Sequence, residues 1–184
     1  MIDKYIYKIL IANDINISND VFYYGWSILK QYLLFLLIII PISCYHNLFY
    51  EIIYFFVIYT PLRKNIGGFH FNNKYFCVFF SAITSFLIVY ISNLYNPSLL
   101  ELTFIFFLLI IMTYIMAPVD NINKKLNIKE KNVYKRKSLI IEFIYYILSI
   151  ILFLYDKIYL INLIYFTDII TLISITIAFI IKRS

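Results

Sequence analysis

Six long apolar runs, at about 28–45, 47–61, 75–93, 99–117, 138–155 and 158–181, take up most of this 184-residue chain. A helix that crosses a bilayer needs roughly 20 mainly apolar residues, and all the runs but the second approach that length. The second, about 15 residues, is short. Residues of the AVILMFWYC set make up 63 % of the chain and charged residues 14 %, against roughly 45–50 % and about 25 % in soluble domains. A water-soluble core could not hide that much apolar surface, and the mean hydropathy of +0.85 agrees. A soluble domain, a disordered tail and a coiled coil are excluded. The expected fold is all-α: a polytopic membrane protein with six transmembrane helices in a single domain, 1–184.

The net charge of +6 does not make a nucleic-acid-binding face, because the basic residues sit in short gaps between apolar runs. Six spans place the N-terminal region (Lys4, Lys8, Lys30), the segment 61–74 (Arg63, Lys64, Lys74), the segment 118–138 and the C-terminus (Lys182, Arg183) on one side. The segment 118–138 carries Lys124, Lys125, Lys129, Lys131, Lys135, Arg136 and Lys137. Of the basic residues, Lys157 alone falls on the other side, and five or seven spans would spoil this segregation. By the positive-inside rule the basic side, with both termini, is the cytoplasm. The basic segment 118–138 suits an anionic lipid surface, and also an acidic peptide.

Pro61, Pro97 and Pro118 fall at span ends, and Pro41 lies inside the first span, where it is expected to kink the helix. Asn93 to Ser98 and Tyr155-Asp156-Lys157 read as turns. Within the N-terminal region 1–27, residues 2–12 place Ile2, Tyr5, Ile6, Ile9 and Leu10 at helical spacing, the pattern of an amphipathic interfacial helix. Asp3, Lys4, Lys8, Asn13 and Asp14 interrupt the first residues, Met1 to Asp20, so no removable signal peptide is expected.

Chemistry concentrates in 61–77. The chain has three glycines, and Gly67-Gly68 are adjacent in this loop, where a glycine pair permits positive φ and close backbone approach. The plain alternative is a turn between spans two and three. His70 and Cys77 are seven residues apart, which on one helix would separate them by roughly 10.5 Å, too far for a nucleophile and its base. They can work together only if His70 lies on a loop that folds back over Cys77 in the first turn of the third span. Helix N-termini and neighbouring cations, here Arg63, Lys64 and Lys74, favour thiolates. A lone cysteine in an apolar run otherwise serves as a small buried hydrophobe.

Cys44 and His46 fall at the opposite end of the first span, which argues against a shared zinc site or a Cys44–Cys77 disulfide. No metal or cofactor is expected. Glu51 and Glu142 lie close enough to span ends to snorkel. Asp168 is deeper, and intramembrane carboxyls are functional candidates. Asp168 and Glu51 support a rival reading as a small membrane transporter or exporter.

The block Arg63-x-x-x-Gly67-Gly68-x-His70, with Cys77 after six further residues, resembles the AgrB family, the membrane cysteine endopeptidases of peptide quorum sensing. Ala117-Pro118-Val119-Asp120 before the lysine-rich stretch and Tyr24-Gly25-Trp26 are similar to further family segments, and size and hydropathy agree over nearly the whole chain. Ser27 stands where members tend to carry Gln or Glu, and Lys124-Lys125 where they often have Lys-Pro. Ser27 puts in doubt a role for an amide or carboxylate at that position; neither departure touches His70 or Cys77.

The resemblance implies that Cys77, with His70 as general base, cleaves a small AgrD-like precursor peptide through a thioester and promotes cyclisation to a thiolactone or lactone. It further implies a bacterial cell-membrane location and a homodimer. On that reading Gly67 and Gly68 supply oxyanion donors or shape the loop, and Arg63, Lys64 and Lys74 are candidates for binding the precursor's acidic part.

Overall fold

The computed structural model describes residues 2–12, 18–69, 71, 73–119 and 126–183, so Asn13, Asp14, His70, Asp120, Lys124 and Lys125 lie outside the described residues. Among these the chain forms seven helices and no strand: α1 (Ile2–Ala12), α2 (Asn19–Tyr45), α3 (Phe49–Ile66), α4 (Lys74–Ser92), α5 (Leu99–Met116), α6 (Ile128–Leu154) and α7 (Ile158–Arg183). The all-α architecture matches the apolar runs.

Helix ends follow local chemistry. Ser98 and Glu101 form a capping box at the start of α5, and Asn127 and Glu130 form another at α6. Each box satisfies N–H groups that the first helical turn leaves unpaired. The second box starts α6 ten residues before the expected span at 138, because lysines interrupt apolarity without interrupting a helix. Pro61 does not end α3, which continues to Ile66. Leu62 and Ile66, both fully buried, anchor that extra turn and a half. Likewise α2 runs on through Pro41 to Tyr45.

Helix α7 forms the centre of the bundle, packed against α3, α4, α5 and α6. Its consecutive residues Ile161, Asn162, Leu163, Ile164 and Tyr165 are all buried, as expected of a helix enclosed on every side. Phe55, Val89, Leu163 and Ile164 form one core cluster, while Leu62, Ile66, Leu109 and Ile175 form a second. The outside is apolar too: Leu37, Val57, Phe104 and Ile115 are each more than half exposed. Patches of that extent need lipid to cover them.

Among the described residues five helices (α2, α4, α5, α6 and α7) are long and apolar enough to cross a membrane. Helix α3 falls short of that measure, since its 18 residues include Glu51, Arg63 and Lys64. Its buried face packs on α6 and α7 all the same. Helix α1 lies against the start of α2, with Tyr7 on Phe22 at 5.0 Å between ring centres, and Tyr5 and Ile9 stay exposed.

Candidate active site at the α3–α4 loop

The loop between α3 and α4 is held from three directions. Helix α3 ends at Gly67, whose φ of +79° turns the chain out of the helix while its N–H donates to Arg63 O (3.1 Å). Gly68 follows with φ +142°. Both angles favour glycine. A Cβ on Gly67 would come within 2.6 Å of Val119 O, and one on Gly68 would overlap the Arg63 guanidinium and the Ser174 hydroxyl. The close approach at Gly67 has a purpose: Val119 N–H donates to Ile66 O (3.0 Å), tying the segment after α5 to the end of α3.

Arg63 is the second hold. Its Nη1 donates to Gly67 O (2.9 Å) and to Ser174 Oγ on α7, and its Nη2 donates to Phe69 O (2.6 Å). Ser174 Oγ also accepts the Phe69 N–H (3.3 Å). Planar guanidinium donors in a fixed fork suit two carbonyls and a hydroxyl at once. The third hold is aromatic. The Phe71 ring meets Phe69 (4.6 Å), Phe76 (4.7 Å) and Phe80 (5.1 Å), in each case edge to face. Phe71 thus folds the loop back onto the first two turns of α4.

Cys77 is the fourth residue of α4, half-buried, with its N–H on Asn73 O (3.0 Å). The Asn73 side chain caps the helix by accepting from the N–H groups of Tyr75 (3.0 Å) and Phe76 (3.3 Å). Tyr59, one turn before Arg63 on α3, lies in electrostatic range of both Arg63 and Cys77. Lys74 donates to Ser27 Oγ on α2 (3.0 Å), and Lys64 is exposed. His70, between the tethered Phe69 and the packed Phe71, lies outside the described residues.

The other sequence candidates sit elsewhere. Cys44 is exposed near the far end of α2, and neither cysteine is in a disulfide. Glu142 does not snorkel: it is buried within the bundle and accepts from Thr113 Oγ1 on α5 (2.6 Å). The early start of α6 puts Glu142 midway along that helix, and rotation about the helix axis turns it inward. Asp168, also buried, is in electrostatic range of Glu142 and of Tyr145. Glu51 lies instead near Tyr159, about 14 Å along α7 from the level of Asp168, so the two carboxyls do not form one cluster.

Ser174 and Tyr59 carried no signal in the sequence. Each is an ordinary residue of an apolar helix, and only helix packing brings Ser174 to the loop and Tyr59 within electrostatic range of Cys77.

A family model described as AgrB, accessory gene regulator B, matches residues 2–181. No curated protein and no solved structure matches the chain.

Proposed function

Because the chain belongs to the AgrB family, and so has its role in the agr quorum-sensing system, we propose that it is the membrane cysteine endopeptidase that processes an AgrD-like precursor peptide. The carrying observation is the loop block itself. Arg63, Gly67 and Gly68 shape the backbone before residue 70, and Phe71 packs that backbone onto the helix turns that flank Cys77.

In this reading His70 takes the proton of the Cys77 thiol, and the sulfur attacks a peptide carbonyl near the precursor's C-terminus. As the tetrahedral intermediate collapses, the C–N bond breaks and His70 returns the proton to the leaving amine. The acyl group is then a thioester on Cys77. A cysteine or serine of the same precursor attacks that thioester, closes the ring and releases the Cys77 thiol. Water is the competing nucleophile, and the Phe69, Phe71 and Phe76 rings help to exclude it.

The Gly67 and Phe69 N–H groups are already engaged, with Arg63 O and Ser174 Oγ, which leaves Gly68 N–H as the oxyanion donor of this stretch. Arg63 acts by holding the loop. Lys64, exposed at the end of α3, is the basic side chain that meets the precursor's acidic tail.

Six spans, with α3 as the short one, put both termini and the site on the cytoplasmic side of a bacterial cell membrane. The family resemblance adds a homodimer. The decisive experiment is mass spectrometry of the purified protein after incubation with precursor. The expected result is an acyl adduct on Cys77, absent in Cys77→Ala and in His70→Ala. Continued cleavage by Cys77→Ala would overturn the mechanism.

A further inference from the structure

Helix α2 meets the bundle mainly through α4, and the seam between the two does not close. It leaves a cleft of about 550 Å³, within the roughly 300–1,000 Å³ of small-ligand sites. The two ends of the cleft differ in character. Near the start of α2 it is lined by Trp26, Lys30 and Gln31, with Lys74 opposite on the first turn of α4; farther along α2 it is lined by Leu34 and Leu37.

Lys74 bridges to Ser27 at the polar end. The Lys30 ammonium lies 5.5 Å from the centre of the Trp26 ring, one turn earlier on α2, so it turns toward the helix start and away from the leucines, as a snorkelling lysine does. The indole N–H of Trp26 is buried and has no acceptor among the described residues. Among the described residues no carboxylate lines the cleft. The site therefore presents two ammonium groups at one end of an apolar slot that runs along a membrane-crossing helix.

We propose that this cleft binds one anionic phospholipid, with its phosphate between Lys30 and Lys74 and one acyl chain along Leu34 and Leu37. An anion answers the two cations, because lysines close to an anionic leaflet are drawn to its headgroups. The apolar end decides between a lipid and an acidic peptide. An extended peptide there would carry unpaired N–H and C=O groups into hydrocarbon, whereas an acyl chain has no polar groups to satisfy. The proposal is independent of the peptidase reading, and its test uses no catalytic readout.

The test is native mass spectrometry of the full-length protein with added phosphatidylglycerol or phosphatidylcholine of identical chains. The wild type is expected to retain phosphatidylglycerol about tenfold better. K30Q/K74Q removes that preference, and K30R/K74R keeps it. Leu34→Trp fills the slot and lowers retention of both lipids without touching charge, a second test should the glutamine variant fold poorly. Equal retention of the two lipids by the wild type, or an unchanged preference in K30Q/K74Q, overturns the proposal. Retention of an acidic amphipathic peptide in place of phosphatidylglycerol, lost in K30Q/K74Q, assigns the cleft to peptide and overturns it too.

Discussion

Arg63 at the end of α3 and Ser174 on α7 are 111 residues apart in the chain, yet they share one hydrogen-bonded hub from which the Gly67–Phe69 backbone hangs. Lysine cannot reproduce a fork that serves two carbonyls and a hydroxyl. Arg63→Lys is expected to slow precursor cleavage about 100-fold, the order of loss that a misplaced reacting group brings. Ser174→Ala removes one acceptor and is expected to lower the rate about tenfold. Tm should move by no more than about 2–4 °C in either variant. Rates from purified protein in vesicles, beside thermal unfolding, check both; unchanged cleavage in Arg63→Lys would remove the hub from the mechanism.

Gly67 and Gly25 should respond in opposite directions to alanine. At Gly67 a Cβ meets Val119 O at 2.6 Å with φ at +79°, so Gly67→Ala is expected to destabilise by about 1–3 kcal/mol. A Cβ on Gly25, inside α2, meets nothing within 4 Å. Gly25→Ala is therefore expected to stabilise by about 0.5–1 kcal/mol. Comparing the two unfolding midpoints checks the pair.

Phe71 fastens the loop through three ring contacts, each contributing about 0.5–1.5 kcal/mol beyond area burial. Phe71→Ala should release the loop from α4 while leaving the two buried core clusters intact. Faster proteolytic nicking between α3 and α4, slower precursor cleavage and a small change in Tm are the expected combination. Hydrogen exchange across 67–76 reads the same release.

Thr113 is the hydroxyl that satisfies Glu142 Oε1 inside the bundle. Thr113→Val leaves a buried carboxyl oxygen without its donor and is expected to destabilise by about 1–3 kcal/mol. Thr113→Val/Glu142→Leu removes both partners and should restore most of that loss. A double-mutant cycle on unfolding in detergent measures the coupling, and additive losses would show that the pair does not interact.

Cys44 and Cys77 lie toward opposite ends of the bundle, exposed and half-buried respectively. In intact cells a membrane-impermeant maleimide is expected to label Cys44 in a Cys77→Ala protein. Labelling of Cys77 in a Cys44→Ala protein should require opened membranes. The reverse pattern would overturn the proposed orientation of the six spans.

The apolar runs determined the all-α fold, because an uninterrupted stretch of that length in hydrocarbon must pair its own backbone and only a helix can do so. Local side-chain chemistry likewise determined the turns at 93–98 and 155–157, and the glycine pair announced a backbone that leaves the ordinary helix region. Two boundaries were misleading. Pro61 looked like a stop and the lysines after 128 looked like a loop, but buried Leu62 and Ile66 carried one helix onward and the Asn127–Glu130 box began the other early.

Tertiary structure alone decided the rest. Helices that are apolar on nearly every face do not reveal which side turns inward. The inward placement of Glu142, the arrival of Ser174 beside the loop and that of Tyr59 within electrostatic range of Cys77 depend on how helices α3 to α7 rotate against one another. The sequence named Arg63 as a basic residue near a loop. The packing of α7 made it the hub that holds the loop in place, because its donors meet two carbonyls from their own segment and a hydroxyl 111 residues away.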